Sequence, residues 1–476
     1  MHTLTFGELW MNWLKWPTLL AIGALSVGCA HLYDGQREAQ RTVRHAAAEQ
    51  TRQQQDADDA QAAAAARHAF AAQVVGLQWL NPLMRKSYPT EWSALWTLGL
   101  AQPNADDVQV KKDPEFFSTL RPVAGIAFNL NGEQSFDGYY ERYIDEIFSK
   151  LRERYFMNPD YFYSVAKGRK PRREVAGIRV EMALPQGLDA EESVAYARRE
   201  IISSFAIGRE DANGRLKTHL SSSAEPPDLR LIQGGPAAGF TSLAAALDFL
   251  EAHPEQTVWL LAFDAPSFPK DTQMNETGAL LVLAHPAYPT GREPLAWIHR
   301  ASRVPLEPGK AGAATAWAAA LGDAARRGAL APAAVGYLVH DAGQGDAAAS
   351  RRIGELGAGV TAALPELAFL TQGFNTPAVL GELGAGTVLT NLVLGIAYAH
   401  HKNVPVIVAG TRETVAGERQ TEDRAVTAVL IRPPAHPTPF DPNRNWFRAR
   451  GEGNAYLPWW SRRHDAEANR MQGWSD

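Results

Sequence analysis

The sequence predicts an α/β body made of two similar halves, preceded by an apolar N-terminal segment and a polar helical stretch. Two observations lead there. From Val74 to about Pro433, apolar runs of strand length alternate with Ala- and Gly-rich runs of helix length. The order strand, glycine turn, small-residue helix and paired strands then occurs twice, which reads as a duplication with buried helices. With 476 residues, 45% of them hydrophobic and 21% charged, the chain can bury one large core or several smaller ones. Its net charge of -5 excludes the global basic excess expected of a nucleic-acid binder.

Residues 1–33 read as a membrane anchor. The stretch WPTLLAIGALSVGCAHL (Trp16–Leu32) holds no Asp, Glu, Lys or Arg. With Leu14 and Tyr33 it approaches the roughly 20 residues of a spanning helix. Trp10, Trp13 and Trp16 suit an interfacial belt beside Lys15. Arg37, Arg41, Arg44 and Arg52 follow the span, so the positive-inside rule places the body in the cytoplasm. The alternatives are a cleaved signal or lipoprotein leader, with a periplasmic body, and a buried helix. Residues 34–72 form the polar stretch. Gln36–Phe70 has no Gly or Pro and no apolar stripe, so it reads either as a helical stalk about 50 Å long or as a frayed linker.

The body is expected at 73–432, in halves of about 73–305 and 306–432, followed by a Pro/Trp/Arg-rich tail at 433–476. Its first half opens with a short strand in VVGLQWLNPL and a helix in EWSALWTLGL. A strand at Pro122–Leu130 and an amphipathic helix at Phe136–Phe156 follow. Next come a strand at Val175–Leu184 and a helix at Ala190–Phe205. Leu231 and Ile232 lead into the turn GGPAAGF (Gly234–Phe240) and an Ala-rich helix. Thr257–Phe268, GALLVLAHP and LAWIHRASRV then read as strands. The second half runs from Ala334: strand AVGYLVHDAG, helix DAAASRRIGELGAGV, strand ELAFLTQ, helix GELGAGTVLTNLVLGIAYAHH, and strands VPVIVAG and AVTAVLIRP.

A strand, tight turn and buried helix is a common setting for a nucleophile, yet this elbow offers none. The only cysteine is Cys29, which also excludes an intrachain disulfide and a Cys-ligated zinc. Thr241 and Ser242 follow the turn without a Gly-x-Ser-x-Gly pattern. No Walker, Gly-x-Gly-x-x-Gly or His-Glu-x-x-His motif occurs, so no cofactor and no metal is expected. His400 and His401, before Lys402, read as cations at a helix C-terminus. Lys167–Arg173 (KGRKPRR) reads as a solvated basic loop, or as one that touches anionic lipid. Trp446, Trp459, Trp460 and Trp474 read either as a tail docked on its own body or as an interface.

The ordered segments resemble the thiolase and β-ketoacyl synthase fold, a five-layered αβαβα duplication. The likeness is carried by VVGLQWLNPLMRKSYPTEWSALWTLGL, by the elbow and its helix, by LLAFDAPS with ETGALLVLAHP, by VHDAGQGDAAASRRIGEL and by GELGAGTVLTNLVL. It implies that the elbow is the segment that would carry the catalytic Cys, with Ala238 and Gly239 as vestigial-site candidates. It also implies His340 in the first histidine slot, Asp346 in the acidic slot, and Glu382 in place of the second histidine. The site then has no thiol, one imidazole and an added carboxylate, so catalytic residues are expected to be none. The whole layout, with its N-terminal anchor, Ala/Gln/Arg stalk and VGLQWLNPLMRKSYPTEWSALW, is similar to the type VI secretion lipase adapter family. That resemblance implies a bacterial inner-membrane adapter that binds a phospholipase effector and helps load it onto the secretion spike protein. It leaves a homodimer open. The competing expectation is an acyl-CoA- or acyl-carrier-binding protein, or an atypical enzyme, using His340 with Glu382.

Overall fold

The computed structural model describes residues 49–50, 52–58, 60–61, 64–80, 90–102, 108–115, 120, 144–145, 147–148, 178–204, 209–210, 216–217, 226–264, 275–290, 293–306, 312–412 and 425–437. The anchor at Met1–Tyr33, the strand at Pro122–Leu130, the loop Lys167–Arg173 and the four tryptophans of the tail lie outside these residues. Among the described residues, no helix is long and apolar enough to cross a membrane. The chain divides into two units, Met1–His68 and Ala69–Asp476. In the first, the described residues are helical, and they are exposed as far as Arg67, as a segment without an apolar face requires.

The second unit contains β1 (Ala71–Leu80), α1 (Thr90–Thr97), α2 (Val108–Lys112), β2 (Arg179–Leu184), α3 (Ala190–Ser204), the short β3 (Arg209–Glu210) and β4 (Leu216–Lys217), β5 (Asp228–Gln233), α4 (Ala238–Ala252), β6 (Thr257–Asp264), β7 (Thr277–Ala284), β8 (Trp297–His299) and β9 (Ser302–Pro305). It continues with α5 (Ala313–Arg327), β10 (Tyr337–His340), α6 (Ala347–Ala363), β11 (Gly373–Asn375), α7 (Thr376–Leu380), α8 (Thr387–Lys402), β12 (Val406–Gly410) and β13 (Ala425–Arg432).

The strand pairings establish the duplication. In the first arm, β2 lies parallel between β5 and β6, and β6 pairs antiparallel with β7. In the second, β10 lies parallel between β11 and β12, and β12 pairs antiparallel with β13. The arms join through β1 and β8 into one continuous sheet. Right-handed crossovers then fix the helices. The β2-to-β5 step and the β5-to-β6 step run in opposite directions along the sheet, so α3 and α4 cover opposite faces. The same holds for α6 and α8 in the second arm. The alternation in that arm agrees: Val406, Val408, Val429 and Ile431 belong to the core shared with α4 and α8. Ile407, Ala409, Ala428 and Leu430 face α5 and α6.

The inner helix α8 packs against α4 and against strands of both arms. All of its residues except Tyr398 and Lys402 are buried, which explains its lack of a polar face. Bonds between the halves reinforce this centre. The Ala385 N–H donates to Asp264 Oδ2 at 2.8 Å. Thr277 and Thr390 hydroxyls lie 3.0 Å apart, and within the first half Trp79 Nε1 donates to Thr277 Oγ1 at 3.0 Å.

Four details depart from the sequence reading. Strand β9 pairs with β13 of the second arm, and β8 bridges β1 and β13. Helix α5 was not anticipated: its buried side is mainly alanine, with Trp317 and Leu321 as the large contributors. ELAFLTQ is not a strand. The Thr371 and Gln372 N–H groups donate to the Ala368 carbonyl, the Ala368 N–H donates to Gln372 Oε1, and Leu370 is 88% exposed. The strand follows instead as the three residues of β11. Finally, α8 begins at Thr387, after a 3-10 turn at Gly384–Gly386.

Candidate functional site

The elbow forms as expected between β5 and α4. Gly234 donates to the Leu184 carbonyl at 2.9 Å, and Ala238 to the Gly235 carbonyl at 3.0 Å. Helix α4 starts without a side-chain cap, on Ala238 and Gly239. Gly239 has a packing reason. A Cβ there would stand 2.7 Å from Val388 Cβ and 3.0 Å from Leu389 Cδ1, so α4 and α8 can cross this closely only at a glycine. Gly410, at the end of β12, likewise faces the Phe240 ring with no room for a side chain. Gly239→Val is therefore expected to lower stability by about 1–3 kcal/mol, the usual range for overpacking. An unchanged denaturant midpoint would refute it.

Thr241 is exposed. Ser242 is fully buried, and its hydroxyl has no hydrogen-bond partner. Among the described residues, neither is bonded to a base, the condition for activating a hydroxyl nucleophile.

His340 does not face the inner helices. In β10, Tyr337 stacks on Tyr398 of α8, whereas Leu338 belongs to the core under α5 and α6. Strand alternation puts His340 on the same side as Leu338. There its ring stacks on Phe369 at 5.5 Å, and Nδ1 accepts the Ala342 N–H at 3.3 Å. Burial lowers its pKa to about 4, so the imidazole is neutral near pH 7.

Asp341, the next residue, reaches the end of β12 instead. Its Oδ1 accepts the Thr411 N–H at 2.6 Å and the Thr411 hydroxyl at 2.7 Å. Burial raises its pKa, opposed in part by these bonds. Arg412 Nε donates to the Asp341 carbonyl at 3.1 Å, and its NH2 pairs with Glu382 at 2.5 Å. Glu382 is thus held by Arg412 rather than by His340, and Arg412 also binds the Asp341 main-chain carbonyl. The sequence reading missed Asp341, Thr411 and Arg412; the signal was the two-residue period of β10, which separates His340 from Asp341.

Asp346 caps α6, accepting the Ala349 N–H at 2.6 Å, and that bond leads the lowering of its pKa. His400 and His401 are not exposed cations at a helix end. Nδ1 of His400 lies 2.8 Å from the Leu295 carbonyl. Nε2 of His401 lies 3.1 Å from Glu91 Oε1, inside the core. Among the described residues, no group of three or more His, Cys, Asp or Glu side chains could hold a metal.

No family model matches the chain. No curated protein matches it either. Among solved structures, it is similar to the ishigamide ketosynthase/chain length factor, with 14% identity, 76% of this chain and 99% of that one covered, and a TM-score of 0.45. It is similar to the ketosynthase from module 6 of the bacillaene synthase of Bacillus subtilis 168, with 13% identity, coverage of 79% and 71%, and a TM-score of 0.44. A third is the oxazolomycin ketosynthase domain OzmH KS8 of Streptomyces albus JA3453, with 11% identity, coverage of 80% and 100%, and a TM-score of 0.41. The duplicated α/β architecture itself rests on the strand pairings.

Proposed function

We propose that the protein is a non-catalytic adapter of a type VI secretion system, with a thiolase-type body that binds a phospholipase effector and helps load it onto the spike protein. In this reading an N-terminal helix tethers the body to the cytoplasmic side of the inner membrane. The observation that carries it is the elbow. Where nucleophile and oxyanion hole would stand, α4 begins with Ala238 and with a Gly239 that is occupied in packing against Val388. The resemblance puts Glu382, here held by Arg412, in place of a neutral imidazole, and a carboxylate opposes the negative charge that develops in an acyl-transfer transition state. The competing enzyme reading needs His340 to act with Glu382. His340 stacks on Phe369 while Glu382 pairs with Arg412, so the two are not bonded to each other.

The test is co-purification of the protein with phospholipases and spike proteins encoded beside its gene, together with an acyl-transfer and decarboxylation assay. A stable complex with a phospholipase is expected, with no turnover in wild type or in Ala238→Cys. Absence of any such complex would overturn the adapter reading. Turnover of an acyl thioester that is lost in His340→Ala would overturn the non-catalytic one.

A further inference from the structure

At the carboxyl ends of β10 and β12, on the side of the sheet that carries α5 and α6, lies a cavity of about 250 Å³. Ligands of open α/β sheets gather at such strand ends. Pro236 of the elbow, Arg351, Arg352 and Glu355 of α6, and Thr411 and Arg412 beyond β12 form its polar rim; Leu306, Trp317 and Val426 form an apolar wall.

The rim carries three guanidinium groups against one carboxylate. Two of them are held in place from behind: Arg352 Nε donates to the Ala342 carbonyl at 2.9 Å, and Arg412 Nε to the Asp341 carbonyl at 3.1 Å. Their terminal nitrogens converge over Gly343, lying 3.2 and 3.1 Å from the point where a Cβ would stand. Gly343 has φ +80°, a conformation that favours glycine, so the loop leaves this space open. Arg412 also pairs with Glu382. Arg351 and the terminal nitrogens of Arg352 have no ion-pair partner among the described residues. Like charges gathered this way repel unless an anion stands between them.

We propose that this cavity binds a phosphate monoester bearing a small apolar group. The donor set selects phosphate over carboxylate. A single arginine satisfies a carboxylate by bidentate bonding; Arg412 is already held by Glu382, but the forks of Arg351 and Arg352 can both bond to the three terminal oxygens of a phosphate monoester. The volume admits the phosphate and an organic part the size of one ring, which lies against Trp317 and Val426. The cavity lies mainly on the face that carries α5 and α6 and reaches the elbow through Pro236.

The purified full chain is titrated with phenyl phosphate, inorganic phosphate and benzoate, by calorimetry and by tryptophan fluorescence. Phenyl phosphate is expected to bind saturably and quench fluorescence. The other two should bind at least about tenfold more weakly, a difference of about 1.4 kcal/mol. Arg351 is exposed and holds no other group, so Arg351→Gln should keep the wild-type melting temperature and weaken phenyl phosphate about tenfold. Arg352→Gln is the second variant. No saturable binding of phenyl phosphate up to about 10 mM, an affinity outside the range of a formed site, would overturn the proposal. So would equal binding of inorganic phosphate, or unchanged affinity in both variants.

Discussion

Acidification from pH 7 to pH 4 is expected to destabilise the protein by up to about 3 kcal/mol for each of two buried histidines, His299 and His340, at 1.36 kcal/mol per pKa unit. Burial lowers both pKa values from 6.5 to about 4, and at His299 the positive charge of Arg432 adds to it. The folded state therefore keeps both rings neutral where the unfolded state already binds protons. Their contribution is fully present above pH 6.5 and is lost as the pH falls from there towards 4. Urea unfolding at both ends of this window, on wild type and His340→Leu, isolates the effect from that of the carboxylates. The variant should lose less stability on acidification than wild type. Equal losses, or an NMR titration of His340 near 6.5, would count against the buried neutral ring.

Glu91→Ala is expected to cost about 1–3 kcal/mol, the range for removing the partner of a buried polar group. All eight residues of α1 are buried, so Glu91 has no solvated face to turn to. Its carboxylate meets His401 of α8 at 3.1 Å, with side-chain exposures of 0% and 1%. Truncation removes that contact from the base of the central helix and leaves a void beside it. The double variant Glu91→Leu with His401→Leu should recover part of the loss, because two apolar side chains of similar size can replace a buried pair at little cost. Thermal melts of the single and double variants decide. A Glu91→Ala protein that melts with wild type would remove this pair from the account of the core.

The strands that are apolar throughout were legible in the sequence. VWLLAFD and ALLVLA are buried on both faces and became β6 and β7. The repeat of strand, elbow and small-residue helix was legible for the same reason: burial on every side leaves no polar positions to blur the pattern. Helix α5 was not, because alanine fills its contact face and weakens the periodic signal. The empty elbow could be read from residue types alone. The surroundings of His340 could not, since one step along a strand reverses the face. The choice between His340 and Asp341 depended on where β10 ends, and strand ends are set by tertiary pairing. Arg412 carried no local pattern, and only the parallel pairing of β10 with β12 brings it to the Asp341 carbonyl.

The burial of α8 between the two arms has a consequence during synthesis. Asp264, at the end of the first arm's β6, finds its partner at Ala385, 121 residues later. At typical elongation rates of about 5–20 residues per second, the first arm waits on the ribosome for roughly 6–24 s before that helix arrives. Over that interval the inner face of β6 and β7 and the side of α4 that α8 will cover are open to solvent and to other chains. The nascent protein is therefore an exposed half-sandwich at this stage, dependent on chaperone cover or on the speed of its own translation. Slowing elongation between codons 265 and 385 should lower the yield of folded protein without changing its sequence.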